Sequence, residues 1–254
     1  MISMRREEQE ETLSGIYDFH CHILPGIDDG SRDMEMTDTM LSMEKEQGVD
    51  HILFTPHFYA QKQSATEFIR HRGNAFDRVK GLIEAKGYAI ETRAAAETFF
   101  FKGISEAGIL DDLCMNTSLS QVLFLEMPFA QWRRSMYEEV KALIEKRGLT
   151  VVLVHIERFI GFQKDRTVWD EIFSMPVAAQ HNAGIYKSIM KRGAGIRTIK
   201  EHWPVILGTD AHNTSSRPPC MEDGRRVIEK KLGRVALSRI DMRSARLWDD
   251  GTIN

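Results

Sequence analysis

The residues of this chain that could hold a metal ion are widely dispersed, yet they recur at one kind of place. His20 and His22 close one apolar run and His57 follows another, while Glu97, Glu126, His155, Asp210 and His212 each come soon after a further one. Imidazole and carboxylate without thiolate form a hard-to-intermediate donor set, suited to Mn, Fe or Zn. His20 and His22 flank Cys21 at the two-residue period of a strand, so both rings point the same way and can share a cation. Glu97 and Glu126 lie close after strongly apolar segments, where an uncompensated carboxylate is costly to bury and a cation removes that cost. Asp28-Asp29-Gly30 makes a turn after the first pair, and either aspartate can serve as donor. With Asp29, the candidates are His20, His22, Asp29, His57, Glu97, Glu126, His155, Asp210 and His212. That set exceeds the needs of one ion and, with one carboxylate bridging, suits a trinuclear site. His51, His71, His181 and His202 do not extend the series and read as surface or core residues.

Two arginines follow these motifs, Arg158 in His155-Ile156-Glu157-Arg158 and Arg217 in Arg217-Pro218-Pro219. A guanidinium beside a cationic cluster is unfavourable unless an anion is shared, and its forked donors match phosphate oxygens. Phosphate esters are therefore the indicated substrates. A metal lowers the pKa of a bound water from about 15.7 towards about 7, which supplies hydroxide for in-line attack on phosphorus. The metals and both arginines would stabilise charge on the equatorial oxygens. A cysteine-phosphatase route is disfavoured, and the sequence has neither a P-loop nor a G-x-S-x-G elbow.

The elements that must position these groups can be read from periodicity. Strands are expected at 16–19, 51–55, 88–94, 121–126, 150–154, 175–180 and 204–208. Helices are expected near 33–47, 64–86, 103–113, 133–147, 165–174, 185–202 and 218–248. Asp33 is placed to cap the first helix, whose Met36, Met40 and Met43 read as core, and Ser64 with Glu67 has the pattern of a capping box. Strict alternation of strand and helix implies a parallel sheet, and seven such units fit one closed or nearly closed barrel. A doubly wound open sheet is the alternative. In a barrel the C-terminal strand ends open on one face, so ligands far apart in sequence would converge there.

Among 254 residues, Lys and Arg number 34 against 37 Asp and Glu, so a net charge of −3 offers no attraction to nucleic acid or an anionic membrane. No apolar run is long enough to span a membrane, and the N-terminal stretch lacks the apolar core of a signal peptide. The widely spaced Cys21, Cys114 and Cys220 suit a reducing compartment, and a cytoplasmic protein is expected. Residues 1–15 read as a polar N-terminal extension and 16–254 as a single domain, with homo-oligomerisation left open.

Taken together, Asp18-Phe19-His20-Cys21-His22 through Asp28-Asp29-Gly30, Thr55-Pro56-His57, the Glu97 and Glu126 strand ends, His155-Ile156-Glu157-Arg158-Phe159 and Thr209-Asp210-Ala211-His212-Asn213 resemble the polymerase-and-histidinol-phosphatase (PHP) superfamily. The D-D-G, H-I-E-R-F and R-P-P stretches are closest to its bacterial manganese-dependent protein-tyrosine phosphatases of capsule and exopolysaccharide operons. The resemblance implies a distorted (β/α)7 barrel with three divalent metals, most simply manganese. His20, His22, Glu97 and Asp210 would hold the first, Glu97, Glu126 and His155 the second, and Asp29, His57 and His212 the third. His155, Arg158 and Arg217 would be catalytic, the arginines by holding the substrate phosphate. The implied partner is the phosphotyrosine tail of a bacterial tyrosine kinase, with no nucleic acid and no membrane insertion. The competing readings are a small-molecule phosphatase such as a histidinol-phosphate hydrolase, an amidohydrolase, and a binding module on a decayed barrel.

Overall fold

All seven expected strands are present. The computed structural model describes residues 15–201 and 203–253; residues 1–14, which make up nearly all of the expected extension, and His202 lie outside the described residues. The strands are β1 (Tyr17–Cys21), β2 (His51–Phe54), β3 (His57–Phe58), β4 (Glu91–Ala94), β5 (Glu97–Phe99), β6 (Met115–Asn116), β7 (Gln121–Glu126), β8 (Thr150–Leu153), β9 (Val177–Asn182) and β10 (Val205–Gly208). Every pairing is parallel except that of the short β6 with β7. Two expected strands differ from the sequence reading by running in two pieces. β2 pairs with β1 and β4 with β2, and then, past Thr55-Pro56 and Ala95-Ala96, β3 and β5 join β7, β8, β9 and β10. Backbone bonds bridge the breaks, with Ala95 N–H donating to Phe54 O (2.9 Å) and Glu97 N–H to Pro56 O (3.0 Å). The circle closes where His22 N–H reaches Ala211 O (2.9 Å), so the barrel rather than the open sheet is the fold.

Helices cover the outside: α1 (Met34–Glu46), α2 (Ala65–Lys86), α3 (Leu110–Leu113), α4 (Arg134–Glu145), α5 (Thr167–Phe173), α6 (Arg192–Lys200), α7 (Met221–Leu232) and α8 (Arg234–Asp249). Asp33 caps α1 by accepting from Met36 N–H (2.9 Å), and of the three methionines only Met40 is fully buried. Ser64 stands at the N-cap of α2 but makes no side-chain cap bond, so the expected capping box does not form. The helix expected at 103–113 is reduced to a 3-10 turn and the single turn α3, and the long one at 218–248 breaks at Gly233 (φ 84°) into α7 and α8.

Inside the barrel, Phe19, Leu53, Ala95, Phe124, Val152, Ala178 and Ile206 form one fully buried layer. Leu247 and Trp248 of α8 close its floor, where the Trp248 indole N–H donates to Glu91 (2.8 Å). Two residues above that layer, strand alternation brings Glu97, Glu126, Gln180 and Gly208 towards the mouth, and past the break in its strand His57 joins them, four residues after Leu53. β1 needs a bulge to take part, since its register with β2 shifts between Asp18 and Cys21. The extra residue lets Phe19 and His20 both face inward while Cys21 joins the outer core.

Asp18 seals the seam between β1 and β10, accepting from Thr209 N–H (2.8 Å), Thr209 Oγ1 (2.5 Å) and His20 N–H (3.0 Å). Glu44 of α1 is buried against this group, and burial, followed by the charge of Asp18, pushes its pKa well above the ordinary carboxylate range. The folded protein thus holds a proton that the unfolded chain releases above about pH 4.3. The stability this contributes is complete below the unfolded pKa and is lost as pH rises through the folded one. Glu44→Gln removes the titration while keeping a polar group for Asp18. The melting temperature of the wild type is therefore expected to fall relative to Glu44→Gln between about pH 5 and pH 8; parallel thermal unfolding curves across that range would refute the assignment.

Candidate metal centre

Glu97, at the start of β5 and 1% exposed, is the hub of the barrel mouth. Its Oε1 lies 2.6 Å from His155 Nε2, while Oε2 lies 3.4 Å from His20 Nε2, 3.3 Å from His22 Nε2 and 2.6 Å from His57 Nδ1. Burial acts to raise the Glu97 pKa, but the charge of His20 and bonds from His155, His20 and His22 hold it well below the ordinary range. Around this hub the donors fall into groups. His20, His22 and Asp210 form one, with Asp210 Oδ1 3.6 and 3.5 Å from the two Nε2 atoms. His155 and Glu126 form a second on the Oε1 side, 3.7 Å apart. His57 and His212 form a third with Asp29, whose Oδ1 is 3.5 Å from the Nε2 of each. All nine sequence candidates are thereby brought together.

The two aspartates differ in their partners. Asp28 accepts from His22 Nδ1 (2.7 Å), His57 N–H (3.0 Å) and Gly30 N–H (2.9 Å), which consumes its oxygens and turns His22 Nε2 inward. Asp29 is the carboxylate left to face the two histidines. Arg158 and Arg217 also reach the centre, both pairing with Asp210, the second at 2.8 Å.

Does this arrangement fit metal ions? Buried Glu97 Oε2, Glu126 Oε2, His20 Nδ1, His57 Nδ1, His155 Nδ1 and His212 Nε2 all lack a hydrogen bond. His57 Nδ1 and Glu97 Oε2 approach to 2.6 Å without the alignment of a hydrogen bond, as lone-pair donors facing a common centre do. Burial and the charge of Glu97 push Glu126 up to about 8, whereas burial pushes His155 and His212 down to about 4. Burial acts to lower His22 and His57 as well, but Asp28 beside the first and Glu97 beside the second push both up. Carboxylates and imidazoles crowded together with open lone pairs are what divalent cations satisfy. The donor set therefore fits.

Two donors reach the cluster only through unusual backbone. Val154 faces the lumen, so strand parity would turn His155 outward, but His155 has φ 33° and swings back. Asp210 has φ 54°. A neutral chain holds both: Gln180 Oε1 accepts from His155 N–H (2.7 Å), Gln180 Nε2 donates to Asn182 Oδ1 (3.1 Å), and Asn182 Nδ2 donates to Asp210 Oδ2 (2.7 Å). Sequence reasoning missed these two residues of β9. Alternation from the buried Ala178 would have found them, but the strand was expected two residues too early. Gly208 belongs to the same layer, because a Cβ there would lie 2.5 Å from His20 Cβ and 2.8 Å from Gln180 Nε2.

The cysteines take no part. Cys220 and Arg226 do stand at the C-x5-R spacing of a cysteine phosphatase, but the intervening residues are helix α7 rather than a phosphate-cradling loop. Burial pushes the Cys114 and Cys220 thiols up to about 12, and Arg226 pairs with Glu222 (3.2 Å) and Asp223 (3.0 Å). His181, left outside the candidate series, is a buried structural residue bonded to Tyr186 (2.8 Å) and Thr198 (3.2 Å).

A parallel barrel with two broken strands and a histidine and carboxylate cluster at its C-terminal mouth is a distorted (β/α)7 barrel of the PHP fold. The chain belongs to the capsular polysaccharide synthesis family CpsB/CapC, whose profile matches residues 16–247. It is similar to the tyrosine-protein phosphatase CpsB of Streptococcus pneumoniae, with 26% identity over 85% of this chain and 90% of that protein. The tyrosine-protein phosphatase YwqE of Bacillus subtilis is 22% identical over 85% of each chain. A crystal structure from a study of YwqE and CpsB, described there as metal-dependent tyrosine phosphatases, superposes with a TM-score of 0.80 at 20% identity, covering 94% of this chain and 96% of that one.

The Gln180 bridge generates a direct test. Gln180→Ala is expected to leave the barrel folded, to lower the unfolding free energy by about 1–3 kcal/mol for the buried N–H left unpaired, and to speed hydrogen exchange at the His155 amide. Unchanged exchange at that amide would mean the bridge does not hold it.

Proposed function

We propose that this chain is a metal-dependent phosphotyrosine-protein phosphatase of the barrel mouth just described. The observation that carries the reading is that a cavity of about 1130 Å³ is lined at once by Asp210 of the candidate metal centre and by Arg158 and Arg217. A carboxylate of the candidate metal centre at one end of a cavity and two guanidinium groups beside it suit a phosphate monoester. Membership of the CpsB/CapC family and similarity to proteins named tyrosine-protein phosphatases support the same class.

In this reading His20, His22, Glu97 and Asp210 hold one cation, Glu97, Glu126 and His155 a second, and Asp29, His57 and His212 a third, with Mn²⁺ first and Fe or Zn next. Bound divalent cations would supply a water of lowered pKa and charge neutralisation at phosphorus. The chain's own residues do the rest. Arg158 and Arg217, each about one-third exposed, leave Asp210 to take phosphoryl oxygens, and their fork geometry orients the ester for in-line displacement. Gln180 and Asn182 keep His155 and Asp210 in their left-handed conformations while this happens. A tyrosyl leaving group, with an ordinary pKa of about 10, departs with little need for a proton. The substrate would be the phosphotyrosine tail of a bacterial tyrosine kinase that controls capsular or exopolysaccharide synthesis. A cytoplasmic site of action fits that partner, and among the described residues no helix is long and apolar enough to cross a membrane. The domain would run from residue 16 to the end of the chain.

The deciding experiment loads the protein with Mn²⁺ and compares phosphate release from a phosphotyrosyl peptide and from histidinol phosphate, with EDTA-treated controls. The peptide is expected to be preferred and EDTA to abolish release; preference for histidinol phosphate would move the protein into small-molecule metabolism. In the same assay His155→Ala should abolish turnover with the fold retained. Arg158→Ala should lower kcat/KM by about 10²-fold while metal content stays near wild type. Wild-type activity in either variant would remove that residue from the mechanism.

A further inference from the structure

Few large apolar side chains face solvent among the described residues, and the two phenylalanines in that group are neighbours. Phe129, in the loop after β7, is 45% exposed, and Phe162, in the 3-10 turn after β8, is 44% exposed. Their rings meet edge to face, with centroids 6.0 Å apart at 73°. Behind them Phe129 lies 4.9 Å from buried Phe159, and Phe159 lies 5.5 Å from the ring of His155. A row of rings thus runs from the candidate metal centre to the rim. Both exposed rings and Ile160 line the cavity that also contains Arg158, Asp210 and Arg217.

Leaving two phenylalanines half in water forfeits a sizeable part of the roughly 1.5–3 kcal/mol that burying each would contribute. Packing inside the fold does not require it, since Phe159 and Trp132 already fill the space beneath. The cavity offers such rings one occupant of matching chemistry. Its arginine end takes an anion, and its aromatic side takes a flat apolar group attached to that anion.

We infer that Phe129 and Phe162 form the wall that receives the tyrosyl ring of the substrate, making them specificity-determining residues that favour aryl over alkyl phosphate esters. This rests on the phosphotyrosine reading above and adds the residues that would enforce it. The wall stands on the segments that follow β7 and β8 and lines the same cavity as Arg158 and Arg217, so a ring laid against it can present its phosphate to the two arginines.

The test uses the Mn²⁺-loaded full chain and two probes. A peptide carrying a non-hydrolysable phosphonate analogue of phosphotyrosine, titrated calorimetrically, reads ring and anion together. Inorganic phosphate, as a competitive inhibitor, reads the anion end alone. Phe129→Ala/Phe162→Ala is expected to weaken the phosphonate peptide by about ten- to fiftyfold, with the inhibition constant for phosphate unchanged. Phe129→Leu/Phe162→Leu keeps apolar bulk without rings and is expected to lose part of that affinity. Unchanged peptide affinity in the alanine variant, equal losses for both probes, or a leucine variant equal to wild type would overturn the aromatic wall. A wild-type protein that fails to bind or hydrolyse the phosphotyrosyl probes at all would instead overturn the phosphatase reading on which the wall rests.

Discussion

A charged carboxylate sealed from water sets the terms for the rest of this molecule. Glu97 is buried at the barrel mouth and keeps its charge because imidazoles meet both of its oxygens. Isolated, such a group would cost several kcal/mol to bury and would neutralise instead. The surrounding histidines and carboxylates only partly satisfy one another, and Glu97 Oε2, Glu126 Oε2, His57 Nδ1 and His212 Nε2 are buried without a hydrogen bond. The centre thus gathers the donor groups that could hold cations around one buried carboxylate.

The backbone bends to serve that centre. Regular parallel pairing carries the lower barrel, where Phe19, Leu53, Phe124 and their neighbours pack in one layer over the plug formed by Leu247 and Trp248. Irregularity is concentrated above it. The bulge in β1 aims His20 inward, the breaks at Thr55-Pro56 and Ala95-Ala96 redirect β3 and β5, and His155 and Asp210 adopt left-handed conformations. Such conformations cost on the order of 1–3 kcal/mol each and persist only when neighbours hold them. Here the holders are neutral amides, Gln180 and Asn182, which satisfy backbone and carboxylate without adding charge to a crowded site.

The mouth is also asymmetric. Donors come from strands all around the barrel, whereas the large cavity is lined by the segments that follow β7, β8, β9 and β10. That division separates the candidate metal donors at the centre from the cavity on one side. Arg158 and Arg217 stand on the boundary, and both pair with Asp210, so they are already positioned where metal centre and cavity meet.

Much of this was legible in the sequence because burial of polarity is visible there. His20, His22, Glu97, Glu126 and Asp210 stand out as ionisable groups beside apolar strands, and alternation of strand with helix is enough to make those strand ends converge. Gln180 and Asn182 were not seen, since a neutral amide in a strand carries no conspicuous desolvation cost. The capping box at Ser64 and the continuous helix at 103–113 failed because local pattern yields to packing and to Gly103 in a left-handed turn. Which chemical groups gather, and on which face of the barrel, is written in strand period and strand order, both of which are one-dimensional properties. How His155 turns inward against its strand parity, which bonds Asp28 and Asp29 make and where the rings of Phe129, Phe159 and Phe162 meet emerge only in the folded chain. Those depend on hydrogen bonds and ring contacts between loops whose relative placement no local spacing encodes.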